Sequence, residues 1–174
     1  LENNDNNKYP YRISSVAVKA FQSRVYLYKG DWANAVIAAN YAITNSPVSV
    51  YTGKYTDIFS QGKESLWQLH FTISENLAST SLHSTYGTVD NGYRDEEGFG
   101  DGTGAGDAQL SVTQDFVDLI DQERDTRFQA LRKVRYYGQN LWWTTKFNSW
   151  GGTFGLDDVP LIRISEVYLN RAEA

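Results

Sequence analysis

Residues 24–43 read RVYLYKGDWANAVIAANYAI. The flanks favour helix, yet Gly30-Asp31 interrupts them. Glycine suits the left-handed position just after a helix, and aspartate suits the N-cap of the next one. The stretch therefore predicts two helices folded back on each other as an antiparallel hairpin. Upstream, Ile13, Ala17, Ala20, Phe21, Val25 and Tyr28 follow helical spacing, with Val16, Val18 and Leu27 adding apolar surface outside that stripe. A helix apolar on two faces is expected to lie between others. Downstream, Trp32, Ala35, Val36, Ala39, Ala42 and Ile43 form the partner face, and the second helix is expected to end before Asn45-Ser46-Pro47. The alanines permit close approach, and Trp32 is assigned to the core. The span from Ile13 to Thr44 matches the tetratricopeptide unit of about 34 residues.

One such unit buries too little surface alone, so further repeats are expected. The pentapeptide RISSV at residues 12–16 recurs as RISEV at 163–167, after Pro160, where a second helical repeat is expected to start. Arg163 and Glu166 are placed to pair along that helix. Leu1 in place of Met, and a helix still running at Ala174, lead us to expect a piece of a longer protein.

Composition narrows the function classes. The chain has 174 residues, 41% of them hydrophobic, and a formal net charge of −5. An acidic chain without Lys/Arg runs lacks the basic face of a general nucleic-acid binder or a polybasic membrane patch. Without cysteine there is neither disulfide framework nor thiolate metal site. No apolar run reaches the length of a membrane-spanning helix. The 5 Trp, 12 Tyr and 8 Phe are the strongest compositional signal. Most such rings fill cores, but they also stack on sugar faces and anchor interfaces.

Between the helical parts, ESLWQLHFT at residues 64–72 alternates as a strand, with Trp67 assigned to the core. Residues 74–110 form a long Ser-, Gly-, Asn- and Asp-rich loop. Residues 111–127 read as a helix, opened by a capping box of Ser111 and Gln114. NLWWTTKF at 140–147 reads as a strand, and NSWGGTFG as a glycine-rich loop. The fold class is thus mainly α: a tetratricopeptide-like hairpin scaffold with a loop-rich lobe and a few short strands. We divide a single domain at 10–46, 64–110, 111–150 and 160–174.

In this order, several segments resemble the SusD/RagB family of outer-membrane nutrient-binding lipoproteins: AFQSRVYLYKGDWANAVIAANYAI, GKESLWQLHFTISEN, DFVDLIDQERDTRF with Asp125 and Arg127, TTKF, and DVPLIRISEVYLNRAEA. In the last, Pro160, Arg163, Glu166, Leu169 and Ala172 to Ala174 carry the likeness. The resemblance implies a non-enzymatic binder on the surface of a Gram-negative bacterium. It would capture oligosaccharide or polysaccharide for a SusC-like TonB-dependent transporter. The lipid anchor would lie outside these residues.

Sugar recognition asks for flat aromatic faces against pyranose CH groups, with planar polar groups on the hydroxyls. Tyr86, Asn91, Tyr93, Arg94 and Phe99, in and around YGTVDNGYRDEEGFGDG, are the candidates, with Trp142 and Trp150. Trp142 and Trp143 are neighbours on a strand, so one is expected inside and one outside. Asp125 and Arg127 are expected to cap or bridge packed helices.

Two alternatives remain open: a tetratricopeptide-type protein-interaction module, and a glycoside hydrolase using Glu96 with Glu97 or Asp95 with Asp101. His70 and His83 match no metal-ligand spacing, and no nucleophile elbow or phosphate loop occurs. We expect no cofactor, although Asp101 and Asp107 could hold calcium.

Overall fold

The structure is a computed structural model, and the residues described are 10–60, 62–75, 80–86, 95–98, 100, 110–147 and 155–174. They fall into two compact units: Leu1–Thr52 with Gly62–His70 and Val159–Ala174, and Gly53–Gln61 with Phe71–Asp158.

The first unit is built on α1 (Ser15–Tyr28) and α2 (Trp32–Thr44). Ser14 caps α1, its hydroxyl accepting from Ala17 N at 3.1 Å. The turn has the expected chemistry. Gly30 sits at φ 71°, its N–H donating to Leu27 O and that of Asp31 to Tyr26 O, both at 2.9 Å. This paired closure satisfies two carbonyls at the end of α1. The Asp31 carboxylate then accepts from Asn34 N and opens α2.

The buried stripe differs from the one the sequence predicts. Val16, Ala17, Ala20 and Ser23 are inside, whereas Ile13, Phe21, Val25 and Tyr28 are exposed. Small side chains win the seam because they let the helix axes approach; the bulky ones turn outward. In α2 the seam is Ala35, Ala38, Ala39 and Ala42. Trp32 is 50% exposed, contrary to its core assignment. It stands in the first turn of α2, with its ring close to Gly30.

Next come β1 (Ser65–Leu69), β4 (Val159–Arg163) and α6 (Ile164–Glu173). The strands pair antiparallel, with Gln68 opposite Pro160 and Leu69 opposite Val159. Proline is tolerated because the sheet has two strands, so each has a free edge. The residues after Pro160 are thus strand before they are helix. Leu66, Ile162, Ile164 and Val167 meet Val16, Ala20, Ala39 and Ala42 in one core, with Trp67 partly buried against it.

Arg163 and Glu166 do not pair with each other. Arg163 ends the strand beside buried Glu64, at 3.8 Å. Glu166 takes Arg24 of α1 through two hydrogen bonds, while Arg24 Nη2 also donates to Leu161 O at 2.8 Å. The hydrogen bonds from Arg24 to Glu166 raise the guanidinium's pKa above its ordinary value. The first N–H of α6, on Ile164, donates to Glu64 O at 3.0 Å, which replaces a side-chain cap.

The second unit contains α3 (Asp57–Ser60), α4 (Leu82–Tyr86), α5 (Gln114–Asp118) and the hairpin of β2 (Leu131–Tyr136) and β3 (Gln139–Thr144). The helix predicted over 111–127 is only five residues long. Thr113, not Ser111, is its cap. The Asp121 carboxylate accepts from Glu123 N and Arg124 N, and that of Asp125 from Arg127 N. Such local bonds compete with helix continuation. A 3-10 helix, Thr126–Ala130, follows instead.

The sequence reading does not include β2. It pairs with β3 in continuous register from Leu131 opposite Thr144 to Tyr136 opposite Gln139. The turn Tyr137-Gly138 has φ of 47° and 75°, the hand that matches strand twist. Single bridges add Gly100 beside β2 and Val112 beside β3. Val117, Ala130, Val134 and Trp143 are buried in this unit. The expected inside-outside split of the tryptophan pair does not hold: Trp142 is 8% exposed and Trp143 1%. The ring of Phe128 packs on that of Trp142, and Val112 pairs along the edge of β3 at the same residue.

Candidate ligand pocket

The second unit holds a cavity of about 620 Å³. Its wall is assembled from separate short elements. The end of β3 contributes Thr144 and the segment leaving it Lys146 and Phe147; α4 contributes Tyr86; the segment before α3 contributes Tyr55. Phe116 of α5 and Arg127 of the 3-10 helix complete the aromatic and polar lining. A cavity of a few hundred Å³, mostly apolar with few polar groups, is the general form of a small-ligand site.

Local bonds fix these groups. Tyr55 N donates to Gln129 Oε1 at 3.2 Å. The Tyr55 and Phe59 rings meet edge to face at 5.4 Å between centroids. Lys146 Nζ lies over both rings, 4.7 Å from the Phe59 centroid and 6.0 Å from that of Tyr55. These are cation–π distances. Tyr86 and Phe147 lie 6.4 Å apart, tilted by 43°.

Arg127 Nε and Nη2 donate to the Asp125 carboxylate. Hydrogen bonding to Arg127 holds the Asp125 carboxyl below the usual carboxylate range, and the same pair raises the Arg127 pKa. The pair is local. It caps and braces a 3-10 turn and bridges no packed helices.

Of the residues singled out in the sequence, Tyr86 lies in this wall. Trp142 lies apart from it, in a shallower depression of about 390 Å³ with Glu97, Phe128 and Lys133. Its ring is engaged by Phe128 at 5.5 Å and by Lys133 Nζ at 5.3 Å, and its indole N–H donates to Gln114 Oε1 at 2.9 Å. Those contacts give it a packing role. Asn91, Tyr93, Arg94, Phe99 and Trp150 lie outside the described residues, as do Asp101 and Asp107.

Asp95 and Glu97 are ion-paired to Arg135 of β2, a bracing arrangement. His70 stacks on Tyr11 at 4.9 Å. Among the described residues no group of three or more His, Cys, Asp or Glu is placed to hold a metal ion.

The sequence reading singled out none of Tyr55, Phe59, Phe116 and Lys146 as site residues. The spacing of Tyr55 and Phe59 and the Lys-Phe pair after the tryptophans were visible signals. Their convergence is tertiary and has no signature in one chain segment.

No protein-family model and no curated protein matches the chain. Solved structures do. A SusD superfamily protein from Bacteroides thetaiotaomicron matches with a TM-score of 0.66 at 24% identity, over 94% of this chain and 37% of that one. A SusD-like carbohydrate binding protein from Bacteroides vulgatus matches with a TM-score of 0.68 at 21% identity, over 94% of this chain and 33% of that one. A SusD-like protein from Bacteroides fragilis matches with a TM-score of 0.62 at 16% identity, over 95% of this chain and 43% of that one. The chain therefore has a SusD-like fold and spans about a third to two fifths of the length of these structures.

Proposed function

We propose that the chain belongs to a non-enzymatic carbohydrate-binding protein and that the pocket of Tyr55, Tyr86 and Phe147 takes part in capturing the glycan. The observation that carries this reading is the aromatic wall of a cavity of about 620 Å³, in a fold shared with a protein described as carbohydrate binding. Tyrosine and phenylalanine offer apolar faces for pyranose CH groups; Thr144 and Arg127 supply hydrogen-bonding groups at the same wall. Binding by stacking plus hydrogen bonds needs no reacting residue. In the wider reading the protein sits lipid-anchored on an outer membrane and passes its ligand to a SusC-like TonB-dependent transporter. The exposed apolar residues of the hairpin, among them Phe21, Val25, Trp32 and Ile37, favour a protein-contact role for the scaffold beside sugar capture.

Affinity gel electrophoresis of the whole protein against a polysaccharide panel, with reducing-sugar release followed in the same samples, tests the reading. Retardation by a glycan without sugar release is expected. Tyr86→Ala and Tyr55→Ala should each weaken it by about 3- to 10-fold, the size of an aromatic contact. Sugar release would overturn the non-enzymatic claim. Absence of retardation by every glycan would overturn the carbohydrate reading.

A further inference from the structure

Part of the pocket wall has no role in ring stacking or hydrogen bonding. Tyr55, Tyr86 and Phe147 supply flat faces, and Arg127 and Thr144 supply polar groups. The rest of the wall includes Val112, Leu119, Ile120, Ala130 and Leu131. Their aliphatic side chains cannot stack as rings do and cannot pair with a hydroxyl.

The segment around α5 shows how this apolar part arises. Val117 and Ile120 lie three apart and are buried, so they form the packed face. Phe116 and Leu119 are a second pair at the same spacing, and they stay 51% and 85% exposed although both line the cavity. The chain turns tightly here, with Leu119 N donating to Phe116 O at 3.3 Å and Ile120 N to Val117 O at 3.1 Å. The exposure of Leu119 places it at the mouth of the cavity, with buried Ile120 and Ala130 further in.

A pyranose stacked on a ring carries its hydroxyls around its edge. A hydroxyl turned toward an aliphatic wall gives up its water and gains no partner, which is a net loss. An acyl group on that oxygen reverses the balance. The unpaired donor is gone, and a hydrocarbon group meets the wall in its place.

We infer that this pocket takes O-acylated glycans, O-acetylated ones in particular, in preference to the same glycans with free hydroxyls. The inference rests on the reading of the pocket as a glycan site and adds the ligand's substitution to it. Phe116 and Leu119 are the specificity-determining residues. Burial of one methyl group, together with one hydroxyl spared from unpaired desolvation, gives a preference of about 3- to 10-fold.

The test uses O-acetylated oligosaccharides of xylan and of glucomannan, each measured before and after mild alkaline removal of the ester. Dissociation constants are determined for the whole protein by isothermal titration calorimetry. The acetylated forms should bind about 3- to 10-fold more tightly. Leu119→Ser and Phe116→Ser should each weaken the acetylated form more than the deacetylated one, so that the ratio falls by about 2- to 4-fold. Both residues line the pocket, so the ratio is the readout and not the affinity of either form. Both side chains are half-exposed or more, and circular dichroism checks that the variants keep the fold. Equal affinity for the two forms, or a ratio that both variants leave unchanged, overturns this inference and leaves the pocket a glycan site. Failure of every oligosaccharide to bind in either form overturns the inference, and the pocket reading falls with it if the wider polysaccharide panel fails as well.

Discussion

Gly30 occupies a backbone region that side-chain-bearing residues disfavour, at φ 71°. Among the described residues, a Cβ placed there would meet only the Trp32 ring, at 3.9 Å. The cost of Gly30→Ala is therefore backbone strain without a clash, about 1 kcal/mol. A urea unfolding curve should show a lower midpoint with an unchanged slope. Asp125 supplies a second prediction. Its folded pKa is lowered by Arg127, so its contribution to stability is present at neutral pH. That contribution is lost as pH falls from the ordinary carboxylate range through the lower folded value. A carboxyl NMR titration should place its midpoint below 3.8, the unperturbed value, and Arg127→Gln should bring it back up. Both sites were legible in the sequence because their chemistry is local. Trp32 was misplaced, and the expected split of Trp142 and Trp143 failed, because exposure depends on what packs against a ring from elsewhere in the chain.

The elements were legible where a cap or turn marks them and illegible where a partner makes them. Gly30-Asp31 marks the boundary of α1 and α2. RISSV and RISEV both open helices, but two residues out of step. Ser14 caps the first, whereas in the second the helix starts at Ile164, the residue matching Ile13. The second helix can start earlier in the motif because the Ile164 N–H is taken by Glu64 O, so no side-chain cap has to precede it. The pairing of β4 with β1 places Leu161 O within reach of Arg24, and Glu166 completes the tie between α1 and α6. Both side chains are roughly 30% exposed, 27% and 31%. We expect Arg24→Gln and Glu166→Gln each to cost about 1–2 kcal/mol, and the double variant to cost less than their sum. A double-mutant cycle by chemical denaturation measures the difference. If the two effects simply add, the tie carries no coupling.

At the scale of the whole molecule, the helical hairpin and the strand segments were readable, because amphipathic spacing and turn residues lie close together in sequence. The pocket was not, because Tyr55, Tyr86, Phe116 and Lys146 come from four separated segments. One feature of the first unit bears on how such a pocket can change. Leu69 and Val159 face each other across β1 and β4, although 89 residues lie between them in the chain. Directly opposed residues of antiparallel strands stand about 5 Å apart. The chain thus leaves the helical unit and re-enters it at nearly the same point. A two-residue turn between Leu69 and Val159 should close a continuous hairpin, with circular dichroism retaining the helical signal and glycan affinity gone. The arrangement makes the segment between Leu69 and Val159, which carries the pocket wall apart from Tyr55, a cassette. It can lengthen, shorten or be exchanged between lineages while the scaffold keeps its register, so ligand range can diversify without the hairpin and α6 having to evolve with it.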